Sequence, residues 1–152
     1  MTLNVITDLD GTICDYSHRL AHLKTRNFDS FTSLCHLDKP IIPVLDMIHA
    51  MSMYGYNVYI FTARPIDYYG KTKKWLEKYR VPFVDIYMRG HGDERSDKAV
   101  KADFIKDFTE TKQLKIHFAI DDRLGICKLF RSKGIVCFHA REGDDDYDKD
   151  KE

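Results

Sequence analysis

Residues 3–12 read Leu-Asn-Val-Ile-Thr-Asp-Leu-Asp-Gly-Thr: a short apolar run that breaks into two carboxylates two positions apart, then a glycine. Leu3 to Thr7 has the length and apolar content of a buried strand. Asp8 and Asp10, two apart on an extended end, point the same way. Such a pair can share a hard cation that prefers oxygen ligands, magnesium for example. Gly11 permits the sharp turn that must follow. A D-x-D-G run also opens calcium-binding loops, but those need a third acid and a distal Glu between two helices. Here a strand precedes the motif and no Glu stands at the required spacing.

Outward from this strand, the chain alternates between strand and helix patterns. Pro43 to Met53 sets Val44, Ile48 and Met51 at helical spacing, with Pro43 in the first turn and Gly55 past the end. Asn57 to Phe61 reads as a second strand, Tyr68 to Tyr79 as a helix stopped before Pro82, and Val84 to Met88 as a third strand. Asp97 to Asp107 carries Val100, Phe104 and Phe108 in an apolar stripe. Lys115 to Ile120 is a fourth strand, Gly125 to Lys133 a helix capped by Gly134, and Ile135 to Phe138 a fifth strand. This alternation predicts an α/β fold around a five-stranded parallel sheet with right-handed crossovers. In such sheets ligands bind at the carboxyl ends of the strands, so the polar residues there are the candidates for function.

The second strand runs into Thr62-Ala63-Arg64, whose hydroxyl, N–H groups and guanidinium suit phosphate; a helix N-cap is the competing use of Thr62. The fourth runs into Asp121-Asp122-Arg123, adjacent acids that need a cation or strong donors if buried, unless one merely caps the next helix. Asp97 and Lys101 share a helix face at i,i+4, a spacing that a surface ion pair would also satisfy. His18 and His22 have the same spacing, but no third zinc ligand accompanies them. Tyr54, Tyr56, Tyr59, Phe61, Tyr68 and Tyr69 suit the core better than base stacking.

The 152 residues fit one domain, 43% hydrophobic. No run of about 18 apolar residues or secretory leader appears, so no membrane partner and a cytoplasmic location are expected. Cys14, Cys35, Cys127 and Cys137 form no C-x-x-C pair and read as free thiols. The formal charge is zero, yet residues 142–152 hold seven acids and two lysines, a net of −5, against 22 basic and 17 acidic residues in 1–141, a net of +5. The expected organisation is a domain over 1–141 and an acidic, disordered tail over 142–152. A basic body suits a polyanionic substrate.

Together D-L-D-G-T, Thr62, Lys101 and Asp121-Asp122, each after successive strands, resemble the haloacid dehalogenase (HAD) superfamily of phosphotransferases. The resemblance implies a Rossmann-like, HAD-type three-layer sandwich and a magnesium-dependent phosphatase. Asp8 is then the nucleophile and Asp10 the acid and base. Thr62 and Lys101 hold the phosphoryl oxygens, and Asp8, Asp10 and Asp122, supported by Asp121, hold Mg2+. A narrower likeness rests on SHRL (Ser17 to Leu20), FTARP, Lys74-Trp75, VPF, MRGHGDERSDKAVK, AIDDR and EGDD. These stretches are similar to the 3′-phosphatase domain of bacteriophage polynucleotide kinase–phosphatases. That family implies repair of nucleic-acid ends by removal of 3′-phosphates, with Arg19, Arg64, Arg89 and Asp97 as further phosphate- or substrate-facing residues. No G-x-x-x-x-G-K-[ST] loop occurs, so the kinase chemistry of that family is not expected. Only 28 residues, Ile13 to Pro40, precede the Pro43 helix, too few for a full cap. The resulting open site admits polymer ends but also mononucleotides and other small phosphate esters, the alternative substrates. A non-catalytic binding module is the distant alternative, disfavoured because Asp8 and Asp10 are both present.

Overall fold

The computed structural model describes residues 2–142. Five parallel strands form one sheet in the order β5-β4-β1-β6-β7. They are β1 (Asn4–Thr7), β4 (Asn57–Pro65), β5 (Asp85–Arg89), β6 (Ile116–Asp121) and β7 (Cys137–His139). The chain builds outward from β1 on one side through β4 and β5, then crosses to β6 and β7 on the other. The topological switch point therefore lies at the carboxyl end of β1, where Asp8 stands.

Both faces of the sheet are covered, which is why its strands read as continuous apolar runs rather than as alternating ones. Val5, Val58 and Ile60 pack against Leu45 and Ile48 of α3 (Ile42–Met53) and Trp75 and Leu76 of α4 (Tyr69–Lys78). Ile6 and Phe61, from alternate positions, face the other way, onto Ile105 of α5 (Asp97–Lys106) and Ile126, Cys127 and Phe130 of α6 (Leu124–Ser132). This is the three-layer α/β sandwich expected from the sequence. The four cysteines are buried free thiols. Gly134 follows α6 with φ +75°, the left-handed position expected of a helix stop.

Two elements differ from expectation. The second strand does not end at Phe61. It stays extended and paired with β5 as far as Pro65, through a register shift between Thr62 and Pro65. Thr62 is therefore a strand residue and not a helix N-cap; α4 begins only at Tyr69. The helix from Asp97 leaves α geometry at Lys106 and widens into a π-turn over Asp107–Thr111. That turn drives Phe108, fully buried, onto Tyr59 at 4.8 Å between ring centres.

Residues 13–40 were legible only as an insertion. They form a two-residue antiparallel ribbon, β2 (Cys14–Asp15) with β3 (Lys39–Pro40), and two short helices, α1 (Leu20–Lys24) and α2 (Phe28–Ser33). Asn27 caps α2 by accepting from the Ser30 N–H at 3.1 Å. No helix among the described residues is long and apolar enough to cross a membrane. The acidic tail expected over 142–152 lies, from Gly143 onward, outside the described residues.

Candidate active site

The carboxyl ends of β1 and β6 bring Asp8, Asp121 and Asp122 together, each with a carboxylate oxygen within 4.8 Å of the others. All three are buried. Three like charges out of water are unfavourable unless shared with cations or protons. One cation is built in: the Lys101 ammonium, on α5, donates to Asp8 Oδ1 at 2.8 Å and to Asp121 Oδ2 at 2.6 Å. Burial, opposed by Lys101 and reinforced by Asp121 and Asp10, pushes Asp8 up to about 7. Burial and the repulsion of Asp8 and Asp121 push Asp122 up to about 8. Lys101 sits above its ordinary range, because the attraction of Asp121 and Asp8 outweighs its burial.

Asp122 Oδ1 is buried and accepts no hydrogen bond among the described residues. An unsatisfied carboxylate oxygen beside two more carboxylates is a donor set that fits a hard dication. Gly11 makes this packing possible: it has φ +81°, and a Cβ there would stand 2.0 Å from Asp122 Oδ2. Thr12 donates to Asp8 Oδ2 at 3.3 Å. Arg141 clasps the turn from outside, donating to the Gly11 carbonyl at 2.8 Å and lying 3.5 Å from Asp122.

The carboxylate of Asp10, the remaining residue expected to hold the metal, is not in this cluster. The turn after β1 carries it to the opposite side, where Arg64 grips both its oxygens at 3.0 and 2.6 Å and Arg19 reaches Oδ1. Burial pushes Asp10 up, but Arg64 and Arg19 overcome it and hold Asp10 well below the usual carboxylate range.

Arg19 was expected to face substrate. It is instead fully buried under Phe31, whose ring centre lies 4.1 Å from the guanidinium carbon. Its fork is taken by Asp38, at 2.8 and 2.6 Å, and by the Phe31 carbonyl at 3.0 Å. Asp38, buried as well, also meets His18 Nε2 at 2.7 Å, and its carbonyl accepts from Trp75 Nε1 at 2.8 Å. Nothing in the sequence marked Asp38: its partners lie 19–37 residues away, and before Lys39-Pro40 it reads as a turn residue.

Arg89 donates to the carbonyls of Ala63, Asp93 and Arg95 and to Asp97. Asp97, just inside the Ser96 cap of α5, joins Arg89 to Arg123. Arg89 thus ties the 90–96 loop to its neighbours. Thr62 is fully buried, its hydroxyl accepting from the Arg64 N–H at 3.2 Å. Lys101, Arg64, Arg89 and Asp97 all line one cavity with Asp8 and Asp10; Thr62 and Arg19 lie behind its wall. The cavity measures about 630 Å³. Its rim is formed by residues 23–32 of the insertion on one side and by Asp93 and Glu94 on the other.

A carboxylate paired with a lysine and a second carboxylate held ionised, both lining one cavity, beside a buried acidic cluster, are an arrangement that can carry phosphoryl transfer. Comparison with known proteins agrees. Chains in two structures of a Pnkp1/Rnl/Hen1 complex, one described as an RNA repair complex, match with TM-scores of 0.76 and 0.78 at 24% and 26% identity. They cover 95% and 94% of this chain but 44% and 47% of their own, so this chain spans less than half their length. Phosphoserine phosphatase in its apo form, 12% identical, matches at a TM-score of 0.62 over 98% of this chain and 92% of that one. The class C acid phosphatase of Bacillus anthracis, 15% identical, matches at 0.63 over 91% and 66%. Residues 3–145 match the family described as the polynucleotide kinase PNKP phosphatase domain, and the chain belongs to that family of HAD phosphatases.

Proposed function

We propose that this phosphatase works through a phosphoryl group carried on Asp8, uses magnesium, and removes 3′-phosphates from nucleic-acid ends. One observation carries the mechanism: Asp8, which lines the cavity and is fixed by Lys101, shares a buried cluster with Asp121 and an Asp122 oxygen that has no partner among the described residues. Asp8, Asp121 and Asp122 would hold the ion, which when bound neutralises charge on the carboxylates and on the phosphoryl oxygens.

Asp10 takes up a proton from solvent as substrate binds; an Asp8 oxygen then attacks phosphorus as the ester P–O bond breaks, and the departing 3′-oxygen takes that proton from Asp10. Water, giving its proton to Asp10, then attacks the same phosphorus; the P–O bond to Asp8 breaks, and inorganic phosphate and free Asp8 result. Lys101 neutralises Asp8 and is within reach of the phosphoryl oxygens that approach it. The two arginines leave Asp10 ionised in the resting site, the state a base requires. Arg64 lines the cavity, and a phosphate oxygen arriving there competes with Asp10 for the guanidinium. Losing that partner raises Asp10's proton affinity, as the acid half of the cycle needs. Thr62 supports the Arg64 backbone from behind the wall.

The family, the small insertion in place of a large cap, and the net charge of +5 over residues 1–141 support a nucleic-acid end as substrate. The cavity volume also admits one mononucleotide, so small esters are the competing substrates. Turnover of 3′- and 5′-phosphorylated oligonucleotides and of 3′- and 5′-mononucleotides, with chelator and with added Mg2+, tests the reading. The expected result is Mg2+-restored activity, highest on 3′-phosphorylated oligonucleotides and lost in Asp8→Asn. Preference for mononucleotides would overturn the substrate, and substantial turnover by Asp8→Asn would overturn the mechanism.

A further inference from the structure

Arg19 lies behind the cavity wall and Arg89 is held by Asp97 and three carbonyls, so neither offers a face for a base. The cavity, at about 630 Å³, is far larger than a phosphoryl group needs and is of the size that accepts a whole small-molecule unit. Three aromatic residues line it. Tyr16 is 7% exposed, and Phe31 spends one face on Arg19. Phe28 is 38% exposed. It opens α2, one residue after the Asn27 cap and two after Arg26, which turns the chain at φ +58°. That left-handed residue is the stop of α1, closed by the Arg26 N–H on the Leu23 carbonyl at 3.0 Å and the Asn27 N–H on the His22 carbonyl at 2.9 Å, and it fixes where α2 begins.

We propose that Phe28, flanked by Arg26, is the stacking platform for the terminal base of the substrate, the base of the nucleotide that bears the 3′-phosphate. The inference rests on the 3′-phosphatase reading of the site. A base presents a π-face to Phe28, and stacking of this kind tolerates any base. The platform is rigid. Arg19 fixes the Phe31 carbonyl at 3.0 Å, and Lys71 of α4 fixes the Ser33 carbonyl at 2.7 Å, so the base would meet a surface already in place.

The test is a cycle between base and ring. The full chain is assayed on two 3′-phosphorylated oligonucleotides, identical except that the terminal nucleotide of one lacks its base, and the same is done for Phe28→Ala and Phe28→Trp. The base should raise kcat/KM in the unsubstituted protein by roughly five- to a hundredfold. In Phe28→Ala the ratio should fall to about one, and in Phe28→Trp it should persist. Turnover of the abasic oligonucleotide shows that each variant is folded. A base-to-abasic ratio near one in the unsubstituted protein, or an undiminished ratio in Phe28→Ala, overturns the inference and leaves the 3′-phosphatase reading standing. Failure on both oligonucleotides alongside turnover of small esters overturns that reading and the inference with it.

Discussion

Arg19→Ala removes a guanidinium with no exposure to solvent. The variant loses two bonds to Asp38, at 2.8 and 2.6 Å, one to Asp10 and one to the Phe31 carbonyl. Asp38 stays buried, with His18 at 2.7 Å and Arg64 at 3.5 Å as its remaining side-chain partners. Removing one member of a buried ion pair costs about 3–5 kcal/mol because the other charge is left uncompensated. For a chain of 152 residues, each kcal/mol moves Tm by about 2–4 °C, so a fall of roughly 6–20 °C is expected. Arg19→Lys restores charge without the fork and should recover only part of it. Asp10 loses one of its two arginines, a charged hydrogen bond of about 1.5–3 kcal/mol, or roughly ten- to a hundredfold in kcat/KM. Because Asp10 serves the leaving oxygen that every phosphate ester possesses, the loss should be equal on a 3′-phosphorylated oligonucleotide and on a small ester. Scanning calorimetry and parallel kinetics decide it. An unchanged Tm with a loss confined to the oligonucleotide would return Arg19 to the substrate and refute the buried positioning role.

Gly11→Ala should lower stability and abolish Mg2+ binding measured by calorimetry, because the new Cβ would stand 2.0 Å from Asp122 Oδ2 on a backbone at φ +81°; a variant that keeps Mg2+ affinity contradicts this. In chelated protein, Tm should fall as pH rises from about 4 to 8. Asp8 and Asp122, pushed from 3.8 up to about 7 and 8, let the folded chain hold protons in that window that the unfolded chain has released. Added Mg2+ should displace those protons, so its Tm gain should grow over the same window; a gain independent of pH would count against a shared carboxylate site.

The sheet was legible because its strands are buried on both faces. LNVIT, NVYIF and KIHFAI are short apolar runs ending in polar residues, and parallel pairing brings those ends together whatever the details between them. Asp8, Lys101, Asp121 and Asp122 were legible for the same reason, since each follows a readable strand or lies on a readable helix. Residues 13–40 were not. Their helices, of five and six residues, are too short to show a period, and Asp38 acquires its meaning only through partners far along the chain. The arginines were legible only in part: a motif gives a guanidinium's place in the chain but not which of its donors are already taken. Arg19 and Arg89 carry the resemblance, yet the fold engages them with Asp38, Asp97 and backbone carbonyls.

The separation of Asp8 from Asp10 follows from counting charge on each side of the turn at Gly11. On one side three carboxylates, Asp8, Asp121 and Asp122, share the single ammonium of Lys101, with Arg141 at the margin. Two negative charges remain, the charge of one divalent cation. On the other side two carboxylates, Asp10 and Asp38, face two guanidiniums, Arg19 and Arg64, and the account is already neutral. A dication is therefore drawn to the first cluster and has little reason to enter the second. The same difference drives the two proton affinities apart, Asp8 upward and Asp10 downward, though the residues are two positions apart. One turn thus yields a carboxylate that awaits a metal before it is fully ionised and another that is ionised without one. The proposed roles, a nucleophile beside a metal and a separate proton carrier, need that division.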